Sequence, residues 1–287
     1  VQGAVEDTQL LLHLADHTEA ALPRLAAELG VTVGGHVQLF LARSAEDFRV
    51  LQPGQPPPWA DGTAYPSLGA VFLRHPSLRG GLPRPLEQVL DHELVHVLLG
   101  RAFAPQRPPH WLQEGVAQVL AGEAGPETTA RLSRALRGSS PISLASLAGG
   151  FPSDAGRAEL AYAQTADLVQ WLRVEHGEDA VRRLVASVRG GADLGGALHA
   201  LTGQGLDEVD AAWKQRVVSR LPVWTAPDQL EAFLFAGGGL LILGVGFARR
   251  RGIRRRLATW QEERTALRRI GQEILAARHG PGGGPPG

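Results

Sequence analysis

Two histidines and a glutamate stand close together in "QVLDHELVHVLLG", residues 88–100. On an α-helix, residues four apart lie on one face about one turn apart. His92 and His96 can therefore direct two imidazoles at one point. Glu93, rotated by one position, can reach a water held there. That spacing suits a metal ion that activates water, and zinc above all. The bland reading is a surface helix with two solvated histidines, but Leu90, Leu94, Val95, Val97, Leu98 and Leu99 leave little room for a solvated face. Burying two imidazoles and a carboxylate without partners is costly, and a metal removes that cost.

Zinc that does chemistry needs three protein ligands and an open position for water. The third ligand is expected downstream. The segment "PHWLQEGVAQ" places Glu114 near the start of the next helix, and a turn between the two helices would bring it over the site. Glu123 and Glu127 lie further along the same segment. The local context favours Glu114. The chain has no cysteine, which excludes disulfides, thiolate catalysis and a Cys-ligated metal.

With "HELVH" at 92–96 and "WLQEG" at 111–115, just after Pro108 and Pro109, the sequence resembles the gluzincin metallopeptidases, and more closely their peptidase MA-like branch. The resemblance covers roughly residues 10–220. It implies an α+β, zincin-like domain: a small N-terminal sheet with the active-site helix, then a helical C-terminal part. It implies Zn²⁺ held by His92, His96 and Glu114, with Glu93 as the general base for peptide-bond hydrolysis. In "ELAYAQTADLVQWLRVEHG", residues 159–177, it implies that Tyr162 donates to the oxyanion. His110 and His176 are further donor candidates. The family usually carries an acid near the position of Gln118, so this chain departs from the pattern in what supports the metal. Such peptidases also take an extended substrate along an edge strand, a role expected for residues 69–73. The rival function is a catalytically inactive zinc-binding module, membrane-tethered, that senses or binds a partner.

The elements that must position these residues follow from periodicity. Residues 8–29 space Leu and Ala at helical intervals, and Gly30 can end that helix. Residues 36–42 read as a strand, followed by a short helix capped by Ser44. Residues 53–66 read as a loop, 68–76 as a second strand, 85–101 as the motif helix and 107–122 as a Pro-rich lead into another helix. From 126 to 222 the pattern is helical, with breaks at "GSSPIS", "AGGFPSDAG", "HGED" and "TGQG".

Charge divides the chain. Residues 1–229 carry 19 Lys+Arg against 25 Asp+Glu, whereas residues 249–287 carry 10 Arg against 3 Glu. Between them, residues 230–248 read as a transmembrane helix, with the arginines of "RRRGIRRR" marking its cytoplasmic side. This predicts three parts: an extracytoplasmic domain over 1–225, a single span over 230–248 and a basic cytoplasmic tail over 249–287. The tail reads as an amphipathic helix, against anionic lipid or equally in a short coiled coil whose seam Arg264 and Gly271 interrupt, with a disordered Gly/Pro end. The chain has no methionine, even at position 1, so Val1 is expected to follow removal of a signal peptide, a trimmed chain being the alternative. The expected partners are a peptide or protein substrate and membrane lipids, with no nucleic acid. Arginine outnumbers lysine 28 to 1, which suggests a GC-rich bacterial genome.

Overall fold

The computed structural model describes residues 2–220, apart from 57–58, 81–83 and 137–138. Helix α1 (Thr8–Leu29) has the limits its periodicity predicts. It stops where Gly30 turns left-handed (φ +66°), a conformation open to glycine without steric cost. Strand β1 (Gln38–Ala42) leads to α2 (Ala45–Val50), whose N-terminus is capped by Ser44 Oγ accepting from the Asp47 amide at 2.9 Å.

Next come β2 (Gly62–Tyr65) and β3 (Ala70–Arg74), joined by a tight turn. The sheet order is β1-β3-β2, with β1 parallel and β2 antiparallel to β3. Two expectations are corrected here. Part of the expected loop 53–66 is a strand. The strand at 70–74 is central rather than at the edge, because its backbone is already paired on both sides. Among the described residues β2 is the strand with a free long edge; β1's outer edge takes bonds from Gln2. Side chains alternate as a pleat requires. Val71 and Leu73 enter the main core, while Ala70 and Phe72 pack with Phe48 on the other face.

Helix α3 (Leu86–Phe103) buries residues all round its circumference, the mark of a central helix. It packs between α1, β2, β3 and α4 (His110–Leu120). Helix α4 lies in turn against α7 (Ala155–His176). Gly115 makes that crossing close, since a Cβ there would stand 2.6 Å from the Thr165 carbonyl oxygen. Between them in sequence are α5 (Pro126–Leu136) and α6 (Leu144–Gly149). The buried Gln164 on α7 clamps the loop before α6, accepting from the Ile142 amide at 3.0 Å and donating to its carbonyl at 2.6 Å.

Helices α8 (Ala180–Arg189), α9 (Leu194–Thr202) and α10 (Leu206–Arg220) complete the described chain. The four expected breaks all fall between helices, and a fifth, at Gly190–Asp193, was not read from the sequence. The result is a mixed, mostly helical domain with one small sheet near its N-terminus, as the α+β reading expected. Among the described residues no helix is long and apolar enough to cross a membrane. The span expected over 230–248 and the tail expected over 249–287 lie outside the described residues.

Candidate metal centre

Helix α3 delivers His92 and His96 to the floor of a cleft of about 600 Å³. Their rings lie 4.8 Å apart, edge to face. Helix α4 delivers Glu114 opposite them. Its carboxylate divides itself between the two rings, with Oε2 3.8 Å from His92 Nε2 and Oε1 3.7 Å from His96 Nε2. Both separations exceed a hydrogen bond. They are near the roughly 3.4 Å that separates ligand atoms in a tetrahedron built on zinc bonds of about 2.0–2.1 Å. One ligand atom from each of the three residues lies within 4.8 Å of the others, and among the described residues no other group meets that condition. Two imidazole nitrogens and a carboxylate oxygen are a donor set zinc accepts.

The buried groups of the site shift one another strongly. Burial would lower His92, but the Glu114 and Glu123 carboxylates outweigh it and lift the imidazole to about 10. Burial drives His96 down to about 4 against the attraction of Glu114. Glu114 is itself buried, yet the two histidines hold it well below the ordinary carboxylate range. Glu93 also lines the cleft. Burial pushes it up to about 7, with His92 opposing and Glu114 reinforcing the shift. A carboxyl poised near neutrality is suited to taking a proton and passing it on.

The remaining expected residues fall into place unevenly. Tyr162, on α7, lines the cleft. Burial and the Glu114 and Glu93 charges raise its hydroxyl above the ordinary value, so it stays a donor. Phe151 holds its ring edge to face at 4.8 Å and packs on His110 at 4.5 Å. His110 and His176 do not line the cleft. Glu127 faces an adjoining cavity. Glu123 does not join the triad; it accepts from His92 Nδ1 at 2.9 Å. Arg84 Nη1 holds the same Glu123 oxygen at 2.6 Å. Gln118 is spent on backbone, donating to the Glu114 and Tyr162 carbonyls at 3.2 and 3.1 Å. His96 Nδ1 is buried with no hydrogen-bond partner among the described residues.

A family model described as the Peptidase MA superfamily matches residues 17–219, most of the chain. The chain belongs to the Peptidase MA superfamily. Among curated proteins, none matches it. Superfamily membership makes the chain metallopeptidase-like, and among the described residues His92, His96 and Glu114 form a group that could hold a metal ion. Sequence reasoning missed Arg84, which holds Glu123, and Gly62, where an added Cβ would crowd the Glu93 side chain. Arg84 lies only eight residues before His92, but nothing in its local sequence marks it as a partner of Glu123. Gly62 carried only its glycine identity inside a presumed loop.

Proposed function

We propose that the chain is a membrane-anchored, zinc-dependent peptidase of the gluzincin type, with His92, His96 and Glu114 as ligands and Glu93 as general base. The observation that carries this reading is the convergence of the three ligand atoms in a cleft that Glu93 also lines. When bound, zinc would polarise the scissile carbonyl and make a water acidic near neutral pH. The chain's own residues supply the rest. Glu93 accepts the water's proton and returns it to the leaving amine. The Tyr162 hydroxyl donates to the carbonyl oxygen as negative charge gathers there. Glu123 fixes His92 with its proton on Nδ1, which leaves Nε2 free to ligate.

The free edge of β2 runs along the cleft, with Gly62 to Tyr65 in its wall. An extended peptide added there would pair through its backbone, which gives affinity with little demand on sequence. The apolar run 230–248 and the arginines after it support anchoring with residues 1–229 outside the membrane and the tail inside. The amphipathic segment of the tail supports contact with anionic lipid.

The test is zinc content and turnover of the full chain, alongside Glu93→Gln and Glu114→Ala. The expected result is one zinc per chain in the parent and in Glu93→Gln, weaker binding in Glu114→Ala, and cleavage lost by about 10²-fold or more in Glu93→Gln. Zinc bound tightly with no cleavage of any peptide by the parent would move the chain to the inactive, ligand-binding reading. Equal turnover by Glu93→Gln and parent would remove the mechanism.

A further inference from the structure

A second cavity of about 620 Å³ adjoins the metal cleft and shares Trp59, Asp61, Arg84 and Arg131 with it. Four arginines line this side cavity, against the two acids Asp61 and Glu127. Three of the four are engaged. Arg79 donates to Asp61 at 3.2 Å and to the Arg84 carbonyl at 2.6 Å. Arg84 is paired with Glu123 at 2.6 Å. Arg74 stacks its guanidinium 4.6 Å from the centre of the Phe48 ring.

Arg131 differs. It stands on α5, half-buried, in the wall common to both cavities. No carboxylate, carbonyl or ring holds its guanidinium among the described residues, and its Nε, like that of Arg79, is buried without a hydrogen-bond partner. Glu127 is one helical turn away on α5 yet does not pair with it. A guanidinium that lines a cavity without an ion pair keeps its Nη donors available to a ligand that can accept from them. Guanidinium forks match carboxylates in shape and charge, often through two parallel hydrogen bonds. The Trp59 side chain, 72% exposed on the shared rim, offers an apolar surface beside the charge. With Asp61 and Glu127 in the lining and Glu123 paired to Arg84, three acids stand against four arginines, an excess that suits a singly charged carboxylate better than a phosphate dianion.

We propose that Arg131 anchors a carboxylate-recognising subsite, so that the substrates are peptides carrying an acidic group beside the bond to be cut. The carboxylate belongs either to an Asp or Glu side chain or to the peptide's own C-terminus. The inference deepens the peptidase reading and rests on it for the position of the scissile bond.

The experiment uses the full zinc-loaded chain and capped Ala/Leu hexapeptides in which one position is Glu or Gln, each made with a free and an amidated C-terminus. Cleavage is followed by mass spectrometry as kcat/KM. The expected result is a Glu-over-Gln preference of tenfold or more at one position relative to the cut. That ratio falls to near one in Arg131→Gln, and Arg131→Glu turns the preference towards Lys. A preference that follows the free terminus instead assigns the subsite to the chain-end carboxylate. Equal cutting of Glu and Gln peptides with no effect of the terminus, or a ratio that survives Arg131→Gln, overturns the proposal. Calorimetric binding of the same peptides to zinc-loaded Glu93→Gln separates this from failure of the peptidase reading. If nothing is cleaved, a tenfold binding preference for a carboxylate that Arg131→Gln removes keeps the subsite, and equal binding removes it.

Discussion

Glu123 accepts a hydrogen bond from His92 Nδ1 at 2.9 Å, from a position just past the C-terminal end of α4. The acid expected nearer Glu114 is Gln118, which is occupied by backbone carbonyls. On the proposed reading Glu123 takes that supporting place, and Arg84 fastens it there. A carboxylate behind a ligating histidine fixes its tautomer and raises its basicity. Glu123→Gln should lower zinc affinity by about 10- to 100-fold, measured by competition with a chromophoric chelator. Glu123→Asp, which keeps the charge, should lose less. An affinity unchanged by Glu123→Gln would mean that the ring is oriented by something else.

Tyr162 is held by Phe151 at 4.8 Å and kept protonated by burial and by the Glu114 and Glu93 charges. A donor aimed at a developing oxyanion acts on the transition state more than on the bound substrate. Tyr162→Phe should lower kcat by about 10²- to 10³-fold, move KM little and leave zinc content alone. A rise in KM at constant kcat would instead make Tyr162 a substrate-binding group.

Much of this site was legible in the sequence, because metal chemistry constrains spacing as well as residue type. His92, Glu93 and His96 need one helix face, and Glu114 needs a second helix returning over the first. Both demands are local and leave marks in "HELVH" and "WLQEG". What was missed depends on contacts distant in sequence. β2 is four residues between prolines, and it is a strand only because β3 pairs with it. The central place of β3 was hinted at by the unbroken apolar run Ala70–Leu73, which suits a strand buried on both faces. The hydrogen-bonding role of Glu123 was not legible, since it requires Arg84, just before the start of α3, and His92, within α3, to meet the chain just past the end of α4.

Away from the site, Asp7 ties the start of α1 to the end of β1. It accepts from Arg43 Nε at 2.7 Å and Nη2 at 2.6 Å, and His75 Nε2 lies 3.4 Å away. The hydrogen bonds from Arg43 hold its carboxyl below the ordinary value, against burial and with help from His75. A carboxyl depressed in the folded state stabilises fully above its unfolded value of about 3.9, and that stabilisation is lost as pH falls through the native value. Asp7→Asn should therefore lower Tm at pH 7, and the gap to the parent should close as pH is taken below the ordinary carboxylate range. A gap that widens in acid would mean that the Arg43 contact is not its source.

Gly62 meets Glu93 where β2 crosses α3. A Cβ added there would stand 2.9 Å from Glu93 Cγ, 3.0 Å from Glu93 Oε1 and 3.0 Å from Val89 Cγ1. Val89 is buried in the core and has little room to retreat, so the Glu93 side chain is the group that must give. Its carboxyl would leave the position from which it reaches the water, while His92, His96 and Glu114 keep theirs. Gly62→Ala should thus retain zinc, cost about 1–3 kcal/mol of stability by overpacking and lower kcat. The pH profile adds a sharper readout. A Glu93 moved towards solvent sheds the burial that raises it to about 7, so the acid limb of the rate profile should shift to lower pH. A variant that loses rate with the limb unmoved would have lost substrate pairing along β2 rather than the placement of its base.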